Sequence, residues 1–182
     1  RLALEAVSDR ANTIYMDTVQ DMIVSTRLKV GDIVTCFGYY NQGDMPKLSY
    51  IITEESIAPD GGSLISLADG RSAKAIIDTY VIPEWFGIRA KNSNATAENP
   101  KWDALIKFAE SNGKYIKLLQ HMYTIYKTIY TSAIIQGATS NDTYYDPYDN
   151  KTVYPDAAVS GFKADSPFTF VHDGHNSINA VV

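Results

Sequence analysis

The stretch Val81 to Ile125, VIPEWFGIRAKNSNATAENPKWDALIKFAESNGKYIKLLQHMYTI, lays out four local structures in a fixed order. Trp85, Phe86 and Gly87 form an aromatic exit from a β segment. Arg89 to Asn99 is too polar and too rich in Asn, Thr and Ala to bury, so it belongs on the surface. From Pro100 the period changes. Trp102, Leu105, Ile106 and Ala109 fall at i, i+3, i+4 and i+7 and stack on one helical face, with Lys101, Asp103, Lys107 and Glu110 on the other. Asn99 before Pro100 reads as an N-cap and Asn112-Gly113 as a stop, so the spacing predicts a helix of about three turns. Lys114 to Ile125 then alternates with a rough period of two, predicting a strand, a turn at Gln120-His121 and a second strand.

Upstream, Leu4, Val7, Ala11 and Ile14 repeat at heptad spacing. They predict a short helix that is marginal alone and needs a partner, either its own domain or symmetry mates. Thr18 with Asp21 is a near capping box for a second short helix carrying Val19, Met22 and Ile23. Lys29 to Tyr40 predicts a turn followed by a buried strand that contains Cys36, and Leu48 to Ile52 a further strand beyond the polar loop Asn41 to Asp44. Pro59-Asp60-Gly61-Gly62 is a strong turn signal. Leu64 to Leu67 and Ala75 to Ile77 are expected as strands on either side of a turn at Ala68 to Arg71. Downstream, Tyr126 to Thr131, Ala133 to Ala138, Val159 to Phe162 and Phe168 to Val171 read as short strands, with Asn141 to Asp156 as a protruding loop.

Two segments resemble parts of one known family. Leu28, Gly31-Asp32, Val34-Thr35, Gly38-Tyr39-Tyr40, Gly43-Asp44 and Tyr50-Ile51 are similar, in register, to the small β domain that precedes the β-helix in many phage tailspikes and appendages. The departure is at Met45-Pro46-Lys47, which stand where that domain has glycines, so a stiffer loop is expected. Phe86-Gly87-Ile88, then Trp102 to Ala109, then Ile116 to Ile125 resemble the segment that opens the right-handed parallel β-helix of phage tailspikes and their pectate-lyase-like relatives. Here Arg89-Ala90-Lys91 replace a Gly-Asp-Gly, and the likeness is one of layout more than of letters. Together the two segments cover roughly Thr18 to Ile125. An ordinary strand-helix-strand unit of another α+β fold is the alternative.

Composition limits what the chain can do. In 182 residues there are 13 Tyr and 12% aromatics but only 20% charged residues, a balance that favours β structure and surfaces that stack on sugars or pack between subunits. A net charge of -5 argues against a nucleic-acid partner, and no run of 18 apolar residues predicts a membrane span. The single cysteine, Cys36, reads as a small buried hydrophobe. The chain begins at Arg1 with no signal-peptide layout and has no evident capping element at Val182, so it is expected to be a piece of something longer.

No catalytic, cofactor-binding or metal-ligating residue is assigned. The loop Asn141 to Asp156 carries four aspartates, and Tyr144, Tyr145, Asp146, Tyr148 and Tyr154 are candidates for contact with a glycan or with another subunit. Cleaving a glycoside needs two carboxylates held about 5 to 10 Å apart, and acids on one loop lack that fixed geometry. His172-Asp173-Gly174-His175 lacks the further ligands of a zinc site, nucleotide-binding glycine motifs are absent, and the Asn94, Asn141 and Asn150 sequons matter only in a eukaryotic secretory setting.

What the resemblance implies is a mainly β fold with a few short helices: a helical lead over residues 1–28, a small β-rich virion-attachment domain over 29–86, and the helix-capped first coils of a right-handed parallel β-helix over 87–182. It implies a homotrimeric virion protein of a phage tail or appendage, assembled in the host bacterial cytoplasm. Its partners would be other tail or collar proteins and, through the full-length chain, a bacterial surface polysaccharide. The family's cleavage residues lie beyond this stretch, so none is carried over. The rival readings are a fragment of a bacterial polysaccharide lyase or glycoside hydrolase, and a non-viral α+β interaction module.

Overall fold

The structure, a computed structural model, describes residues 13–89, 98–119, 122–125, 129–137, 144–146, 151–153, 161–164 and 170–172. Among them the chain is mainly β, with two α-helices and one short 3-10 helix.

The first part is a five-stranded sheet. Its strands are β1 (Thr13–Met16), β2 (Ile33–Cys36), β3 (Leu48–Thr53), β4 (Leu64–Ser66) and β5 (Ser72–Ala75), in the order β1-β2-β3-β5-β4. β1 runs parallel to β2, with Ile14 opposite Val34, and the remaining pairs are antiparallel. β3 shows the alternation that fixes its register: Leu48, Tyr50 and Ile52 are buried while Ser49, Ile51 and Thr53 point the other way. Helix α1 (Val19–Val24) covers the inner face with Val19 and Met22, and Thr18 caps it by accepting from the Asp21 amide, as the capping pattern predicts.

Ile14 therefore departs from expectation. Placed on a heptad seam by its spacing, it stands in β1, because a β-branched residue gains more by pairing beside Val34 than by ending a two-heptad helix. The other seam positions lie outside the described residues. β1 also pairs with β2 across the 28/29 division drawn from the sequence. The strand expected at Ala75 to Ile77 lies instead at Ser72–Ala75, where Ala73 reaches the core opposite Ile52.

The second part follows through β6 (Tyr80–Val81) and the 3-10 helix Pro83–Phe86, which ends on Gly87 at φ 68°. Helix α2 (Asn99–Ser111) buries Trp102, Leu105, Ile106 and Ala109, the seam read from the sequence. Its cap differs by one residue: Asn99 is already helical and Glu98 takes the N-cap, its side chain being drawn to other partners described below. At the far end Gly113 supplies the left-handed residue after Asn112.

Strands β7 (Tyr115–Lys117), β8 (Met122–Ile125) and β9 (Ile129–Thr131) come next, then β10 (Ile135–Gln136), β11 (Tyr144–Asp146), β12 (Lys151–Val153), β13 (Gly161–Ala164) and β14 (Phe170–His172). The turn expected at Gln120-His121 lies outside the described residues. All pairings here are parallel except the hairpin β11–β12. Ile135 pairs with Ile116, 19 residues earlier. Gly161 pairs with Met122 and Phe170 with Ile129, 39 and 41 residues earlier. Part of what reads as a protruding loop, Asn141 to Asp156, is thus an antiparallel hairpin.

One contiguous core runs through both parts, from Val34, Tyr50 and Ile52 through Trp85, Phe86 and Ile88 to Trp102, Leu105, Ile116, Tyr123 and Ile135. Cys36 lies in it with no exposed surface, and burial pushes its thiol pKa up to about 12, which makes it inert packing.

Candidate functional site

Two features stand out where the sheet meets α2: a buried polar junction and a groove. The junction begins with Asp44. Its carboxylate accepts from the amides of Tyr39 (2.6 Å), Tyr40 (2.9 Å) and Asn41 (2.9 Å), folding the Gly38-Tyr39-Tyr40 corner tightly back on itself. That corner aims two phenols forward. Tyr39 donates to the Gly61 carbonyl at 2.6 Å and Tyr40 to the Gly87 carbonyl at 3.2 Å. A Cβ on Gly87 would lie 2.7 Å from the Tyr39 ring and 2.8 Å from the Tyr40 hydroxyl, so the left-handed turn and the close approach both demand glycine. At Gly62 an added Cβ would land on the Phe86 ring.

Helix α2 closes the junction from the other side. Lys101 donates to the Gly87 carbonyl (2.8 Å), the Tyr40 hydroxyl (3.0 Å) and Glu98 (2.8 Å), and Glu98 is 3% exposed. Burial works to lower the Lys101 pKa, but its bonds to Glu98 and Tyr40 outweigh it and the net shift is upward. The Arg89 guanidinium lies 3.9 Å from the centre of the Tyr40 ring, a close cation–π contact. Glu84 on the 3-10 helix is 2% exposed and accepts from the Tyr123 hydroxyl at 2.5 Å, linking the 3-10 helix to β8. Burial raises its pKa to about 8 against the opposing effect of the Tyr123 bond, so it is protonated at neutral pH. At the end of α2, Glu110 accepts from the Thr131 hydroxyl and from the Ser132 amide and hydroxyl, tying the helix to β9.

Both buried carboxylates thus hold segments together. Glu84 and Glu98 bond Tyr123, Lys101 and the Arg89 amide, a role in positioning and not in proton transfer to a substrate. The groove lies beside them. It is a cavity of about 580 Å³ bounded by residues 57–64, Lys74 and Ala75 on the sheet side and by Ala104 to Asn112 on α2. No group of three His, Cys, Asp or Glu side chains placed to hold a metal occurs among the described residues. No helix among them is long and apolar enough to cross a membrane.

Of the residues proposed from sequence for glycan or subunit contact, Tyr144, Tyr145 and Asp146 form β11, paired with Val153, Thr152 and Lys151. Tyr148 and Tyr154 lie outside the described residues, as do Asp173, Gly174 and His175 and the Asn94, Asn141 and Asn150 sequons. Sequence reasoning missed the junction residues. Lys101 reads as a solvent-face lysine at helical spacing, and only its three bonds reveal otherwise. Glu84 did leave a signal, being a lone acid inside the apolar run VIPEWF.

No family model matches the chain, and no curated protein does. Solved structures do. WceF of Pantoea stewartii, described as a glycan biofilm modifying enzyme with a bacteriophage tailspike-like parallel β-helix fold, superposes at a TM-score of 0.60 with 13% identity over 88% of this chain and 25% of its own. The tailspike of Acinetobacter baumannii bacteriophage Fri1, described as a capsular polysaccharide depolymerase, gives 0.56 with 14% identity over 69% of this chain and 23% of its own. The tailspike of Acinetobacter phage vB_ApiP_P1 gives 0.54 with 13% identity over 88% and 26%. The likeness is one of fold: the chain is tailspike-like, and it spans about a quarter of the length of each of these proteins.

Proposed function

We propose that the chain is the amino-terminal attachment portion of a homotrimeric phage tailspike or appendage, a virion structural protein whose full chain binds a bacterial surface polysaccharide. The observation that carries this is the order of the parallel pairs. β7, β8 and β9 receive β10, β13 and β14 in the same sequence, each pair parallel. Two successive turns of a coil give that order, with the hairpin β11–β12 as an excursion from the second turn. In this reading residues 29–86 are the adaptor to other tail or collar proteins, residues 1–28 the lead, and residues 87–182 the first coils. Tyr144, Tyr145, Asp146, Tyr148 and Tyr154 are then contacts to glycan or to a neighbouring subunit. The junction built by Asp44, Tyr39, Tyr40, Lys101 and Glu84 fixes the angle between adaptor and coil. Sedimentation equilibrium tests it: a mass of three chains is expected, and a stable monomer would count against the spike.

The superposition on WceF supports a second reading, a bacterial glycan-modifying enzyme of the same fold. Incubation with capsular preparations separates the two, because product released by these 182 residues alone favours the enzyme.

A further inference from the structure

We propose that the groove between the sheet and α2 binds a carboxylate-bearing sugar unit, such as a hexuronate within an acidic polysaccharide; the proposal rests on the glycan reading above and names the chemistry of the ligand. The groove's lining is mostly apolar, with Ile57, Pro59, Leu64 and Phe108 along it, and its volume of about 580 Å³ falls in the range of small-ligand sites. Two exposed lysines, Lys74 from β5 and Lys107 from α2, face one another across it from different elements. Their situation differs from that of nearby cations. Lys101 is ion-paired with Glu98, Lys114 donates to the Asp78 carbonyl, and Lys117 lies over the Tyr80 ring. Among the described residues neither Lys74 nor Lys107 has an ion pair or a side-chain hydrogen bond.

The acid that also lines the groove does not neutralise them. Asp60 accepts from the Gly62 amide (2.9 Å), the Leu64 amide (2.8 Å) and the Ser63 hydroxyl, so its oxygens are turned into its own loop. In a chain of net charge -5, this leaves a local reversal of sign above an apolar floor. A hexuronate matches both halves. Its carboxylate suits the two ammonium groups, and the C–H face of its ring covers apolar surface at Phe108 and Pro59. A neutral sugar would leave the lysines unmatched, and an inorganic anion would leave the apolar floor uncovered.

The test titrates the 182-residue chain with oligogalacturonate and, separately, with maltooligosaccharide of equal length, following binding by calorimetry at two salt concentrations. Binding of the acidic oligomer alone is expected, weaker at high salt, with at least a tenfold loss in the Lys74→Ala/Lys107→Ala double variant. Both side chains are exposed, so the variant's thermal midpoint should match that of the parent and a folding defect is excluded directly. Equal binding of both oligomers, or no binding of the acidic one, overturns the proposal. Acidic-oligomer binding that the double variant retains also overturns it, while leaving the glycan reading standing. Self-association lost in the double variant would assign the groove to a neighbouring copy and likewise overturn it. The glycan reading fails separately, if the chain is a monomer and neither oligomer binds.

Discussion

The antiparallel sheet of residues 33–75 and the parallel pairs of residues 80–172 both use short strands, yet they are held together in different ways. In the sheet the partners are close in sequence, and the turns between them are closed by nearby carboxylates. Asp32 accepts from the Lys29 amide, Asp44 from three amides and Asp60 from two. In the parallel part the strands are two to four residues long and their partners lie 19 to 41 residues away, so no turn can set the register. Buried side chains that reach between elements do it instead, with Trp102 edge-on to Tyr123 at 5.8 Å and Tyr123 on Glu84. The sheet is specified locally, whereas the parallel part is specified by the core it surrounds.

The contrast breaks most visibly at Trp102. Trp102→Ala removes the largest buried side chain and should cost about 4 kcal/mol. Hydrogen exchange is expected to speed up first in β7 and β8 while the sheet keeps its protection; uniform loss across both parts would refute the division. The reciprocal change is Asp44→Ala, which strips the acceptor from three amides and should cost roughly 2–3 kcal/mol. Its exchange signature should centre on the Tyr39 corner, and an effect spread evenly into α2 would show that the corner is not a local device.

Glu84 gives the parallel part a pH dependence. Below the ordinary carboxyl pKa both folded and unfolded chains are protonated and its contribution is complete. Between about 4.5 and about 8 the unfolded chain ionises while the folded one keeps its proton. Stability should therefore fall by roughly 1.4 kcal/mol per pH unit across that window, with no further loss above it. Chemical denaturation of Glu84→Gln should show this slope removed; an unchanged slope would place its origin elsewhere. The smallest effect concerns Tyr50, whose hydroxyl is buried without a hydrogen-bond partner among the described residues. Tyr50→Phe should stabilise by about 1 kcal/mol, and a loss of stability would reveal a partner for that hydroxyl.

How much of this was legible in the sequence follows from the same contrast. The helix seam Trp102, Leu105, Ile106 and Ala109 could be read directly, because amphipathic spacing is a local signal. The Thr18 cap, the Gly113 stop and the burial of Cys36 were legible for the same reason. The Gly-Tyr-Tyr and Gly-Asp positions stood out as a resemblance, and their physical reason is three amides on one carboxylate. What could not be read depends on groups far apart in the chain. Lys101 looked like any helix-surface lysine until Tyr40, 61 residues earlier, accepted its proton. Ile14 looked like a heptad position until Val34 offered it a strand partner. The hairpin within Asn141 to Asp156 was hidden because prolines and acids advertise loops more loudly than three-residue strands advertise themselves.

The hairpin β11–β12 sits where the spacing between stacked strands grows from 19 residues to about 40. Closing a longer loop costs only about 0.6 kcal/mol for each doubling of its length. That position can therefore be rewritten or lengthened with little penalty to the strands on either side, which makes it a natural graft point for a foreign peptide or a small reporter domain.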